Sequence, residues 1–248
     1  MFESAELGHV VDKATYKAEV PTVRERLLDA QYELLDKKRF PLVIVIAGVD
    51  GGGKGETVNE LNTWMDARHV TTHALDAPTD VERERPAMWR FWRELPPKGK
   101  TAIFFGSWYA SPIDARVAGD IEEGDLDAAT EEIKRFERML AGEGALILKF
   151  WFHLSKQQQK KRFNKLERRA STRWRVTSSE WASAHCYDRQ RAVAERVLRQ
   201  TSTAEAPWIV VEGADKRYRQ LTVAKSILAA LERRNALPDP PSVSAHVT

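Results

Sequence analysis

The sequence predicts an α/β fold: a P-loop three-layer sandwich with a mostly parallel five-stranded sheet and a helical lid. Three observations predict it. Apolar, largely β-branched runs alternate with helical patterns along most of the chain, which implies parallel βαβ units. The first run opens directly into Gly48-Val49-Asp50-Gly51-Gly52-Gly53-Lys54, a glycine-rich turn ending in lysine. A basic helical stretch then interrupts the alternation late in the chain, between Lys156 and Arg196.

Taken in order, residues 12–37 read as a helix, with Val23, Leu27, Leu28 and Leu34 forming an apolar stripe. Residues 40–47, FPLVIVIA, form a continuous apolar run suited to a strand buried on both faces. Val58, Leu61 and Met65 share one face of the helix expected after the glycine-rich turn. Further strands are expected at 70–75, 101–105, 146–152 and 208–211. Helices are expected at 128–140 (Ile133, Phe136, Leu140) and 216–233 (Leu221, Ile227, Leu228, Leu231). The domain therefore spans 1–235, with its lid at roughly 155–199. Residues 236–248 are polar and Pro/Ser-rich, as in a flexible tail or linker.

Composition excludes several classes. The 39 basic residues against 36 acidic ones leave a net charge of only +3, unlike a dedicated nucleic-acid binder. The local basic stretch fits a polyanion held by one part of the molecule, or simply a solvated helical face. Cys186 is the only cysteine; this excludes an intramolecular disulfide and a cysteine-built metal site, and its expected role is packing. No apolar run approaches a membrane span of ~18 residues, and the opening residues do not read as a signal peptide. The expected location is cytoplasmic.

The glycine-rich turn reads as a P-loop. Backbone N–H groups that turn inward around phosphate oxygens require residues without a Cβ, and a following helix adds free N–H groups and a positive dipole end. Gly48, Gly51, Gly52, Gly53, Gly55 and Glu56 are therefore candidate phosphate or nucleotide contacts, with Lys54 reaching the transferred phosphate. The general pattern continues from lysine to a Ser or Thr that holds Mg²⁺. Here Gly55 follows Lys54, and Thr57 lies two positions further on.

Asp50 inside the loop and Gly55 after the lysine give G-x-D-x-x-G-K-G, which resembles the family-2 polyphosphate kinases. Further similar segments are Trp89-Arg-Phe-Trp92, Leu95-Pro-Pro-Lys-Gly99, Gly106-Ser-Trp-Tyr109, Phe136-Glu-Arg-Met-Leu140, Leu148-Lys-Phe-Trp-Phe152 and Glu205 through Gly213 with Asp215-Lys216. Within that family, MFESAELGH and GETVNELNTWMD are most similar to the amino-terminal module of two-module polyphosphate:AMP phosphotransferases. The resemblance implies phosphate transfer from inorganic polyphosphate to AMP, giving ADP, with Mg²⁺ as cofactor. It further implies that Asp50 and Lys54 are catalytic and that Asp50 orients the acceptor phosphate or holds Mg²⁺. Arg83, Arg85, Arg90, Arg173 and Arg175 would line a polyphosphate path. A second module and a homo-oligomer are the implied partners, with neither nucleic acid nor membrane. Trp89, Trp92, Trp108 and Tyr109 are candidates to contact the base, or core residues.

Two departures divide the functional expectation. The family's Phe-Asp-Arg-Ser-Trp-Tyr segment corresponds to Phe104-Phe105-Gly106-Ser107-Trp108-Tyr109, so its Mg²⁺-binding Asp falls on Phe105 and its Arg on Gly106. In the lid, a family lysine falls on Thr172, whereas the second charge survives as Arg175. A polyphosphate:AMP phosphotransferase is one reading. The other is a catalytically impaired module that holds polyphosphate or supports an active partner. Asp114, Asp120, Glu122 and Glu123 read as acidic surface.

Overall fold

A computed structural model gives the structure of the protein and describes residues 1–237; the expected tail at 236–248 lies almost wholly outside the described residues. The sheet contains β1 (Leu42–Gly48), β2 (Val70–Ala74), β3 (Thr101–Phe105), β4 (Leu146–His153) and β5 (Trp208–Glu212). They lie in the order β2-β3-β1-β4-β5, and every pairing is parallel. β1 is central because its residues are apolar on both sides: Leu42 through Ile46 are all buried.

Register sets the position of the site. Ile46 pairs with Phe105 and Gly48 with Phe152, so the carboxyl ends of β1, β3 and β4 come together. An open parallel sheet binds ligands at such an edge.

The helices are α1 (Lys13–Lys37), α2 (Lys54–Trp64), the single turns α3 (Asp80–Arg83) and α4 (Trp89–Trp92), α5 (Ala110–Ala118), α6 (Glu123–Gly142), α7 (Lys156–Glu167), α8 (Ser178–His185), α9 (Tyr187–Thr201) and α10 (Lys216–Asn235). On one face of the sheet, α1, α2 and α10 bury Leu27, Leu34, Leu61, Ile227 and Leu231 against Ile44, Phe150 and Val211. On the other, α5, α6 and α9 bury Ile113, Ile133, Phe136, Val197 and Leu198 against Val43, Val45 and Phe104. Alternating strand residues therefore feed two cores, giving the three layers.

Local chemistry fixes the helix ends. The Asp12 carboxylate accepts from the Ala14 and Thr15 N–H groups to start α1, and Lys38 ends it in the left-handed region. A reciprocal cap between Glu122 and Asp125 starts α6 at Glu123, five residues before the expected 128. Residues 40 and 41 precede β1 rather than join it.

The lid expected at 155–199 is shorter in the fold. Ala194, Val197 and Leu198 on α9 are fully buried in the second core, so α9 is part of the sandwich. What overhangs the sheet is α7, the short 3₁₀ turn Arg173–Arg175 and α8. Cys186 is exposed at the α8–α9 junction, so the packing role expected for it is corrected.

A strap formed by the first residues crosses the ends of β4 and β5. Phe2 is buried and stacks on the His153 ring at 4.4 Å. The Gly8 and His9 N–H groups donate to the buried Glu212 carboxylate.

Candidate functional site

At the carboxyl edge of the sheet lies a cavity of about 430 Å³. The P-loop contributes Gly48, Asp50 and Lys54, and the end of β3 contributes Phe105, Gly106 and Ser107. Asp76 follows β2, Asp114 comes from α5, Ser179 and Ser183 come from the overhanging α8, and Gln190 comes from α9. β1 delivers the loop, and α2 starts at Lys54 with Gly53 in the left-handed region as its cap. The first N–H groups of α2 and its positive end thus face the loop, a ready anion site.

Lys54 Nζ donates to the Gly48 carbonyl at 2.5 Å and lies 3.6 Å from Asp50 Oδ1. The lysine is thereby held over the loop. The Thr57 hydroxyl donates to the Gly53 carbonyl at 3.0 Å and is fully buried. It is committed within α2 and does not replace the missing Ser/Thr metal ligand.

Asp114 is exposed, as an acidic surface residue is, but it also lines the cavity with Asp50 and Lys54. Desolvation, and then the negative charge of Asp50, push its carboxyl pKa up, and Lys54 opposes them. Asp120, Glu122 and Glu123 are exposed outside the cavity. Helical spacing from the end of β3 was the signal that separated them: Ala110, Ile113 and Asp114 share the cavity-facing side of α5.

The two positions where the family motif departs form one wall. Phe105 places an aromatic side chain where a carboxylate would face the loop. Gly106 has φ +87°, and a Cβ there would stand 2.3 Å from the Leu75 carbonyl oxygen. A side chain at this position meets both an unfavourable backbone conformation and a backbone clash.

The candidate arginines divide into separate groups. Arg83 pairs with Asp80 at 2.6 Å, Arg90 lies 3.4 Å from Glu82, and Arg85 lies over the Trp89 ring. All three line a second hollow of about 320 Å³ beside Phe91 and Trp108, not the loop cavity. Arg173 is exposed on the 3₁₀ turn. Arg175 pairs with Glu56 at 3.0 Å. Glu56, grouped with the phosphate contacts by sequence, directs its carboxylate to arginines instead: Arg162 at 2.8 Å, Arg175, and the buried Arg219. Gly55 is open to solvent, whereas Gly52 packs beneath the loop against Val49 and Phe152. Gly51 packs against Phe163.

Helix α7 is seated on the loop. Its buried Gln159 donates to the Asp50 carbonyl at 3.0 Å, and Phe163 is buried. Among the aromatic candidates, Trp108 and Tyr109 are core residues, whereas Trp92 is 47% exposed. Trp108 Nε1, the Tyr109 hydroxyl and Lys149 Nζ all donate to the buried Glu137 carboxylate, at 3.0, 2.7 and 2.6 Å.

The family model for polyphosphate kinase 2 matches residues 10–237, a span that takes in the loop and every strand of the sheet. The chain belongs to the polyphosphate kinase 2 family. It is similar to a polyphosphate:AMP phosphotransferase from Pseudomonas aeruginosa, at 53% identity over 94% of this chain and 47% of that protein. An AMP/ADP-polyphosphate phosphotransferase from Meiothermus ruber is 30% identical over 86% of this chain and 80% of its own length. The crystal structure of polyphosphate kinase 2 from Arthrobacter aurescens superposes with a TM-score of 0.88 at 28% identity, covering 97% of this chain and 86% of that one. The chain thus spans about half the length of the phosphotransferase from Pseudomonas aeruginosa. No described helix is long and apolar enough to cross a membrane. For a family member the missing signals were spatial: Arg162 and Arg219 reach Glu56 from 106 and 163 residues away.

Proposed function

We propose that this chain is the polyphosphate-holding module of an enzyme that transfers phosphate from inorganic polyphosphate to AMP, and that it performs little transfer alone. The observation that carries the reading is the cavity wall. The loop, Lys54 and Asp50 form a cradle, while Phe105 and Gly106 stand where the carboxylate and guanidinium would serve the reaction. In the transfer, an oxygen of the AMP phosphate attacks the terminal phosphorus, and the bond from that phosphorus to its bridging oxygen breaks, leaving a chain one phosphate shorter. Protein catalysis of such a step is mainly positioning and charge neutralisation. Lys54 and the loop N–H groups would hold the terminal phosphoryl group, and the glycines would let the backbone approach it.

Charge also supports a divalent cation. The cavity lining holds Asp50, Asp76 and Asp114 against Lys54 alone, a surplus of negative charge that would repel a polyanion. Among the described residues no group of three ligating side chains gathers as a metal cage. That donor set fits Mg²⁺, which commonly takes one or two carboxylates and completes its shell with substrate phosphates and water. Asp50 and Asp114 would hold it, and the ion would neutralise phosphate charge as a Lewis acid.

Asp114 favours a second reading, in which the chain transfers phosphate itself with Asp114 in place of the carboxylate absent at Phe105. Purified protein and Lys54→Ala, incubated with AMP, polyphosphate and Mg²⁺, distinguish the two. The first reading expects Mg²⁺-assisted polyphosphate binding that weakens at least about tenfold in Lys54→Ala, with ADP near background. Lys54-dependent ADP formation establishes the second. Absence of polyphosphate binding by the unaltered chain refutes both.

A further inference from the structure

One carboxylate in this molecule faces three guanidinium groups. Glu56, in the first turn of α2, accepts from Arg162 of α7 at 2.8 Å, Arg175 of the 3₁₀ turn at 3.0 Å, and Arg219 of α10. No other carboxylate is in hydrogen-bond contact with any of these arginines among the described residues. An ordinary structural ion pair balances its charges, but this cluster stays net positive even with Asp215 acting on Arg219 through space.

The cluster is pre-organised and adjoins the phosphate loop. Arg219 is 1% exposed and anchored through Nη1 to the Gly213 carbonyl at 2.9 Å. Its buried Nε has no hydrogen-bond partner. The same nitrogen lies against Gly53 of the loop, where a Cβ would stand only 2.3 Å away. Arg162 Nε is also buried and unpartnered, and the Arg162 side chain passes Gly51. Glu56 itself is only partly covered, at 26% exposure, and Arg175 is 40% exposed. Guanidinium forks match the oxygens of a phosphoryl group as well as those of a carboxylate. The start of α2 favours either anion in the same place.

We propose that Glu56 is an internal stand-in for a phosphoryl group: it occupies an arginine site contiguous with the P-loop and ties the overhanging lid down until a polyphosphate chain displaces it. The inference rests on the polyphosphate reading above. A chain whose end sits in the loop and which runs out past Gly53 meets Arg219, Arg162 and then Arg175. It gains those contacts only as the Glu56 carboxylate gives way, so Glu56 sets the affinity and limits short anions more than long ones.

The test compares the unaltered chain with Glu56→Gln, using inorganic polyphosphate of defined length and pyrophosphate as probes in titration calorimetry at fixed salt. Glu56→Gln should bind polyphosphate at least about tenfold more tightly, because the arginines lose their competing charge. Without ligand, trypsin should cut more rapidly between Lys156 and Arg175, and polyphosphate should restore protection. Adding Arg175→Gln should lose more affinity in the Glu56→Gln background than in the unaltered chain. Should Glu56→Gln fail to fold by circular dichroism, Glu56→Asp, which keeps the charge but shortens its reach, should gain about two- to fivefold. Equal or weaker binding by a folded Glu56 variant, with the unaltered chain still binding, overturns the proposal and leaves the polyphosphate reading standing. Binding by neither protein overturns the polyphosphate reading and this proposal with it.

Discussion

Replacing Lys149 with methionine tests the least exposed charged group in the second core. Lys149 Nζ, fully buried, donates to Glu137 Oε2 at 2.6 Å, to the Tyr109 hydroxyl at 2.9 Å and to the Thr201 carbonyl at 2.8 Å. Burial lowers the Lys149 pKa, and contact with Glu137 opposes that shift. Lys149→Met removes the cation and leaves the Glu137 carboxylate, 2% exposed, with only the Trp108 and Tyr109 donors. Removing one partner of a buried pair costs about 3–5 kcal/mol. For a domain of this size each kcal/mol moves the melting temperature by about 2–4 °C, giving a drop of roughly 6–20 °C. Calorimetry or circular dichroism melts at neutral pH would measure it. Glu137→Gln removes the stranded charge while keeping an acceptor for Trp108 and Tyr109, so Lys149→Met with Glu137→Gln should recover half the loss or more. A drop below about 2 °C for Lys149→Met, equivalent to less than about 1 kcal/mol, refutes the reasoning. So does a double variant no more stable than the single one.

Other positions give sharp expectations. Gly106→Arg, which reinstates the family residue, should destabilise by about 2 kcal/mol or more, because φ +87° and the Leu75 oxygen oppose any side chain; thermal melts against Gly106→Ala would separate backbone strain from side-chain size. Asp114→Asn should raise stability at neutral pH. The Asp114 pKa is raised in the fold, so as pH climbs past the ordinary aspartate value the unfolded chain ionises first and is favoured. The difference from the unaltered protein should therefore vanish in acid, as denaturant melts across pH would show, while Mg²⁺-assisted polyphosphate binding weakens.

The parts of the fold visible in sequence were those where burial acts on consecutive or periodic residues. β3 was bounded correctly because Ala102, Ile103 and Phe104 are all buried, and a strand covered on both faces has no polar alternation to confuse its limits. The start of α2 was equally visible, since Gly53 and Lys54 state the turn chemistry outright. Helix α5 went unmarked: Ala110-Ser-Pro-Ile carries one strong apolar anchor, Ile113, too little for a period. Asp114 therefore reads only as acidic surface in sequence, since an acidic residue has no face until its helix is known. The lid reads longer in sequence than in the fold because α9 shares its basic character. Arg189, Arg191, Arg196 and Arg199 conceal the buried stripe of Ala194, Val197 and Leu198. Glu56 could not be read at all, because its meaning depends on arginines delivered by three later elements.

The meeting of the two ends of the described chain has a consequence for how it is made. Helix α1 packs along α10, and Arg26 reaches Glu232 across 206 residues of sequence. At synthesis rates of about 5–20 residues per second, α1 waits roughly 10–40 s on the ribosome for its packing partner. Throughout that interval Leu27 and Leu34 have no finished core to enter, and the strap around Phe2 waits first for β4 and then for β5. The sandwich is therefore completed after translation of its last helix, and until then the nascent chain presents an uncovered apolar stripe, the type of surface on which holding chaperones act.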